Sequence, residues 1–281
     1  MGQTAMDQYC VLGNPVEHSK SPWIHARFAQ LTGQQLSYGK RLIALDGFVA
    51  GIKAFRAGGG KGCNITVPFK FEAAPLATTL TARARLANAC NTLRFDGEVE
   101  VFADNTDGVG LVNDIQHNAG VALAGRELLL VGAGGAAAGV LGPLLEARPG
   151  RIVVANRTAG KAQSLVERHA TLATQCGAGL TAVALDAVRG SFDIVVNASA
   201  SSLSGAAVPV AGSVLKPGAL AVDMMYGPAV AGFLAWAREH GGVPRDGLGM
   251  LVEQAAEAFL VFRGVRPSSA QVLAELRASL A

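Results

Sequence analysis

ELLLVGAGGAAAGVLGPLLEARPGRIVVANR, residues 127–157, reads as a strand, a tight glycine turn, a helix and a second strand. The apolar run Leu128–Val131 ends at Gly132-Ala133-Gly134-Gly135-Ala136-Ala137. That is G-x-G-x-x-A, the alanine variant of the dinucleotide-binding fingerprint. Gly132 permits the turn out of the strand, Gly134 lets backbone approach a pyrophosphate, and small Ala137 lets the helix pack close to the sheet. The helix start then presents N–H groups and a positive dipole end to phosphate. A rival reading is a membrane helix, since no charge falls between Leu128 and Leu145. The glycines and Pro143 in that window fit a turn and helix better, and the flanking β-branched strands fit a buried parallel sheet.

The second strand ends in Asn156-Arg157-Thr158, with Lys161 one turn further on. NAD-binding folds usually carry an acid here for the ribose 2′-hydroxyl; NADP-binding folds put arginine nearby for the 2′-phosphate. No carboxylate stands here. Arg157 is able to grip a phosphate bidentately, while Asn156 and Thr158 add neutral hydrogen bonds. The expected cofactor is NADP(H).

A chain of 281 residues suggests two domains. Half the residues are hydrophobic, 16% are charged and glycine numbers 35, as in a well-buried α/β enzyme. The net charge is +3 without a basic run, so nothing indicates nucleic acid as a partner. Cys10, Cys63, Cys90 and Cys176 lack metal or redox spacing, which suggests reduced thiols in a cytoplasmic protein. The N-terminus lacks the apolar core of a signal peptide, and the residues before Tyr9 read as a short disordered lead. No metal is expected.

Upstream, Tyr9–Gly13 reads as a strand, followed by His18-Ser19-Lys20-Ser21-Pro22 and a helix. Ser21 before Pro22 is a standard cap, yet two hydroxyls at a helix start also make a carboxylate cradle. Strands are expected at Leu36–Ile43 and Lys61–Val67, with a helix at Gly47–Phe55 between them. Asn64 and Thr66 share one face of the second strand, as a ligand wall or as ordinary surface alternation. Lys70 follows at a helix start, where lysine is ordinarily solvated. After a helix at Ala82–Leu86, Asp96-Gly97 marks a hairpin. Asp104, Asn105 and Thr106 are candidate caps for a helix over Val109–Asn118.

Beyond the fingerprint the pattern stays α/β: helix Lys161–His169, strands Ala182–Leu185, Phe192–Asn197 and Ala219–Met224, and helix Phe233–His240. Asn197 opens a run of small polar residues through Ser199, Ala200, Ser201 and Ser202, suited to a crevice at strand ends. A long helix to Phe262 carries Gln254 early, with Glu253 and Glu257 expected on its solvated face; Ser269–Leu280 is the last helix.

Together the segments GNPVEHSKSPWIH (from Gly13), KGCNITVPFK (Lys61), NACNTL (Asn88), DNTDGVG (Asp104), VGAGGAA (Val131), ANRT (Ala155), VDMMYGP (Val222) and DGLGMLVEQAA (Asp246) resemble the shikimate dehydrogenases, nearly end to end and in order. The resemblance implies an α/β protein of two domains. Residues 1–106 with 247–281 would form a substrate-binding and catalytic domain, and residues 107–246 a Rossmann-type NADP-binding domain. It implies reversible NADPH-dependent reduction of 3-dehydroshikimate to shikimate, a step of aromatic amino-acid biosynthesis. Lys70 and Asp107 match the family's catalytic pair. Ser19 and Ser21 would hold the carboxylate, and Asn64, Thr66, Asn91, Asp107, Gln254 and Tyr226 would contact the rest of the substrate. Gly132 to Ala137, Asn156, Arg157, Thr158, Lys161, Asn197, Ser199, Met224 and Gly247 would meet the cofactor. Hydride transfer to a ketone builds alkoxide charge, which a positioned ammonium stabilises and protonates.

Two departures stand out. Ser199-Ala200 replaces the family's frequent Thr-Ser, and Lys161 stands where a second arginine is common, keeping charge without bidentate geometry. The alternatives are a quinate/shikimate dehydrogenase with broader substrate or NAD use, and a non-catalytic NADPH sensor, which predicts loss of the Lys/Asp pair that this chain retains. A monomer or homodimer that acts on a small molecule away from membranes completes the expectation.

Overall fold

The computed structural model describes residues 6–199 and 208–280. Its chain forms two compact units, Met1–Gly110 with Leu251–Ala281, and Leu111–Met250.

In the first unit the strands are β1 (Asp7–Gly13), β2 (Leu36–Leu42), β3 (Gly60–Ile65), β4 (Thr79–Leu80), β5 (Thr92–Asp96) and β6 (Glu100–Asp104). They form one mixed sheet in the order β2-β1-β3-β5-β6-β4. Parallel β2-β1-β3 pairing gives way to the antiparallel pairs β3-β5 and β5-β6. Register aligns Asn64 with Thr92, and Thr92 with Asp104, in one row across three strands. Helices α1 (Ser21–Thr32), α2 (Phe48–Ala57), α3 (Lys70–Ala73), α4 (Ala82–Ala87) and α5 (Asp107–Asn113) follow in chain order. The core beneath the sheet gathers Leu12, Phe48, Phe55, Ile65, Phe69 and Leu93, all under 4% exposed, so the strand ends that bear polar side chains rest on a close-packed base.

The second unit holds β7 (Glu127–Val131), α6 (Gly135–Glu146), β8 (Arg151–Asn156), α7 (Ala159–Cys176), β9 (Gly179–Ala184), β10 (Phe192–Asn197), β11 (Leu215–Asp223), α8 (Ala231–Glu239) and β12 (Val243–Arg245). Its sheet runs β12-β11-β10-β7-β8-β9, with every pair parallel. Counted from β7, this is the Rossmann order 3-2-1-4-5-6 read from the far edge. Leu128–Val131 and Ile194–Val196 are buried on both faces, as continuous apolar strands of a covered parallel sheet require. Two further helices, α9 (Leu248–Arg263) and α10 (Ser269–Leu280), end the chain; α9 straddles the boundary between the units, and α10 belongs to the first.

Several expectations are corrected. Asp7 and Gln8 are no disordered lead: they extend β1 by pairing with Leu36 and Ser37. Ser21 is not a cap; Lys20 occupies that position without a side-chain bond, and Ser21 is the first helical residue, its N–H donated to Ser19 Oγ at 3.3 Å. The helix expected over Val109–Asn118 begins at Asp107, whose N–H donates to Asn105 Oδ1 at 3.2 Å, and turns π-helical over Asp114–Asn118. Helix α7 runs on to Cys176, where Gly177 closes it in the left-handed region at φ 69°. The short edge strands β4 and β12 are additions.

Candidate functional site

In the first unit, β3 delivers Asn64 at its C-terminal end, and Thr66 follows it. Turn 66–69 then drops into α3, whose first residue is Lys70. Lys70 is no solvated lysine: its side chain is 15% exposed, and Nζ donates to Asp107 Oδ2 at 2.6 Å. The helix start that holds Asp107 is fixed by the row of β5 and β6. Asn91 N–H donates to Asp104 O at 3.1 Å, and Thr106 N–H donates to Asn91 Oδ1 at 2.9 Å.

Asn91 is the hub. It is buried, and its Nδ2 lies 2.8 Å from Asp107 Oδ1, 2.9 Å from Thr106 Oγ1 and 3.3 Å from Gln254 Oε1. Gln254 is held in turn by donation from Nε2 to Leu251 O at 2.8 Å. Asn64 donates from Nδ2 to Asn91 O at 3.1 Å and to Thr92 Oγ1 at 2.9 Å. Lys70, Asp107, Asn91, Gln254 and Asn64 therefore form one hydrogen-bonded constellation. Ser19 and Ser21 meet each other at the start of α1, past the end of β1. Tyr226 is carried by the second unit, after β11.

Reading from sequence missed the support beneath this constellation. Asp104 is not a helix cap but a buried carboxylate that receives Arg83 through Nε at 2.8 Å and Nη2 at 2.5 Å, and Thr81 Oγ1 at 2.6 Å. Arg83 also reaches Glu257, and Glu253 is 6% exposed, so neither glutamate forms the expected solvated face. Burial pulls the pKa of the Arg83 guanidinium down, but its two carboxylate partners together outweigh that and raise it above its ordinary range. The signal available was an acid closing an otherwise alternating strand.

In the second unit, Gly132 leaves β7 at φ 117°, and a Cβ there would stand 3.0 Å from the backbone of Ala198. That conformation and that closeness require glycine. Gly134 is exposed, with open space where its Cβ would lie, and no side chain caps α6. Ala138 N–H donates to Gly134 O, so the N–H groups ahead of it lie at the open end of the helix. This is a cradle that fits a pyrophosphate. Gly132 N–H donates to Ala155 O at 2.8 Å, which seats the fingerprint beside the end of β8, where Asn156, Arg157, Thr158 and Lys161 follow. Arg157, Thr158 and Lys161 are exposed.

On the other side of the turn, Ala198 N–H donates to Val131 O and Met224 N–H to Asn197 O, at 2.8 and 3.0 Å. Asn197 Nδ2 donates to Asp223 Oδ2 at 2.8 Å, and Ser199 Oγ donates to Asn197 Oδ1 at 2.6 Å. Gly247 presses on the same loop: a Cβ there would lie 2.3 Å from Met224 O. Gly132–Ala137, Asn197, Ser199, Met224 and Gly247 thus line one end of the sheet. Ala200, Ser201 and Ser202 lie outside the described residues.

A fully parallel sheet in this order, with a G-x-G-x-x-A turn opening α6, defines a dinucleotide-binding α/β protein. Three family models match the chain: shikimate dehydrogenase substrate binding domain at residues 11–93, shikimate/quinate 5-dehydrogenase at 114–205, and shikimate 5′-dehydrogenase C-terminal domain at 247–277. The chain belongs to the shikimate dehydrogenase family. It is 64% identical to a shikimate dehydrogenase (NADP(+)) of Acidovorax sp. strain JS42, over 99% of this chain and 98% of that protein. It is 63% identical to one from Paracidovorax citrulli strain AAC00-1, over 99% of each. The crystal structure of shikimate 5-dehydrogenase from Thermus thermophilus in complex with NADP(H) and shikimate is 30% identical and superposes with a TM-score of 0.84, covering 98% of this chain and 100% of that one.

Proposed function

We propose that the chain catalyses the reversible, NADPH-dependent reduction of 3-dehydroshikimate to shikimate in aromatic amino-acid biosynthesis. The observation that carries this reading is the shielded Lys70–Asp107 pair at 2.6 Å, set among amide side chains in a member of this family. The first unit takes the substrate and the second the cofactor. Gly132–Ala137 would hold the pyrophosphate of NADPH, and Arg157 and Lys161 its 2′-phosphate; when bound there, the cofactor would supply hydride.

This chain's own residues do the rest. Ser19 and Ser21 receive the substrate carboxylate at the start of α1, where the helix dipole favours an anion. Lys70 donates a proton to the oxygen of the reduced ketone and takes one back in the reverse direction. Asp107 holds the ammonium in place and accepts from a substrate hydroxyl. Asn64, Thr66, Asn91 and Gln254 would surround the ring, and Tyr226, in the loop after β11, is a further proposed substrate contact. Asn197, Ser199, Met224 and Gly247 shape the cofactor's reactive side. A cytoplasmic monomer or homodimer completes the proposal. No helix among the described residues is long and apolar enough to cross a membrane.

The test is a set of initial rates for shikimate and quinate, each with NADP⁺ and NAD⁺. Preference for shikimate with NADP⁺ is the expected result. Comparable rates with quinate or NAD⁺ would move the chain to the broader-specificity branch, and no turnover from folded protein that binds NADPH would make it a sensor.

A further inference from the structure

Asn64 leaves little of its hydrogen-bonding capacity free. Its two N–H groups go to Asn91 O and Thr92 Oγ1. The Asn91 backbone oxygen is an obligate acceptor, so the amide nitrogen must face it. The amide oxygen then faces Tyr38, whose hydroxyl donates to Asn64 Oδ1 at 2.6 Å. The chain of donors continues inward. Thr92 Oγ1 donates to Asn91 Oδ1 at 2.9 Å, and Asn91 Nδ2 donates to Asp107 Oδ1, whose other oxygen holds Lys70. Tyr38 stands at the outer end of this chain.

The tyrosine ring is itself held. His25 stacks on it with centroids 4.1 Å apart and planes 5° from parallel. Phe28, Phe259 and Phe262 surround the imidazole, at centroid distances of 6.0–6.2 Å. Neither ring nitrogen of His25 has a hydrogen-bond partner among the described residues, so the imidazole serves as an apolar slab.

We propose that Tyr38 is a positioning residue that turns Asn64 into an acceptor-only contact. With both N–H groups engaged and one oxygen lone pair given to Tyr38, Asn64 meets the substrate through its remaining lone pair. It therefore recognises a ring hydroxyl, which has a hydrogen to give, and not a ketone or carboxylate oxygen. The hydroxyl is one that stays a hydroxyl on both sides of the reaction. This inference rests on the reading of Asn64 as a substrate contact.

The experiment compares wild type, Tyr38→Phe, Asn64→Ala and the double variant, with near-ultraviolet circular dichroism as a check on folding. Wild-type turnover of shikimate is read first; its absence would defeat the proposed function before any variant is made. Tyr38→Phe is expected to raise KM for shikimate about tenfold, with kcat and KM for NADP⁺ within about twofold of wild type. In the Asn64→Ala background the same change is expected to move KM by less than about twofold, because Tyr38 acts through Asn64. An unchanged KM in Tyr38→Phe, or equal losses in both backgrounds, would overturn the proposal. Shikimate analogues lacking one ring hydroxyl provide a check that needs only Tyr38→Phe. For one analogue the loss on Tyr38→Phe should shrink toward none, and a full tenfold loss with every analogue would also overturn it.

Discussion

Lys70 and Asp107 illustrate what a single residue gains from its surroundings. A lysine opening a four-residue helix reads as surface; its meaning comes from a carboxylate 37 positions away. Lys70→Ala is expected to remove nearly all turnover while NADPH binding, followed by fluorescence titration, stays intact; retained turnover would refute the proton-transfer role. For Arg157→Ala the expected result is a much larger loss of NADP⁺ affinity than of NAD⁺ affinity, and equal losses would refute the 2′-phosphate contact. His25 carries a prediction about pH. Burial holds its pKa down to about 3, against an ordinary value near 6.5. Between those values the unfolded chain takes up a proton that the folded one refuses, so stability falls as pH drops from 6.5 towards 3. Between pH 7 and pH 4, wild type should lose on the order of 3 kcal/mol more from this source than His25→Phe. Urea midpoints at the two pH values measure the difference, and parallel losses in both proteins would contradict it.

Legibility changes at the scale of elements. The β7–α6–β8 unit was readable because its signal is local: an apolar run, glycines at fixed spacing, then a second apolar run. Strand β10 and helix α10 keep their expected limits for the same reason. The start of α5 was not readable, since two side-chain bonds from residues before it decide where it begins. Tyr38 was not readable either. Its strand is evident in LSYGKRL, but its partner lies 26 residues away across β1, and only the register brings them together. Asp114, which opens the π-helical turn Asp114–Asn118, likewise has a partner far off in sequence. Asp114 is fully buried and takes Arg245 bidentately, Nε at 2.6 Å and Nη2 at 2.5 Å. Gly249 accommodates it, since a Cβ there would sit 1.7 Å from Asp114 Oδ1. Asp114→Ala leaves Arg245 without its carboxylate and is expected to cost about 3–5 kcal/mol of stability. A urea midpoint within error of wild type would show the pair to be dispensable.

Across the whole molecule, the assignment of substrate to one unit and cofactor to the other makes a spatially resolved prediction. Amide hydrogen exchange with NADP⁺ alone should slow in peptides covering 131–138 and 156–161. With shikimate alone it should slow in peptides covering 62–70, 91–108 and 251–256. Protection by either ligand confined to the other set would reverse the assignment. Each ligand at about 100 times its Kd should also add roughly 2.7 kcal/mol to the stability of the state it binds.

The second unit is one consecutive run, residues 111–250, whereas the first is written in two pieces. As the chain leaves the ribosome, the parallel sheet has every strand in hand once β12 is out. The first unit has all six of its strands much earlier, yet Tyr9 and His25 wait for Phe259 and Phe262, and Arg27 waits for Glu275. The domain begun first on the ribosome is thus the one completed last, and during that interval the aromatic face beneath Tyr38 is exposed to whatever escorts nascent chains.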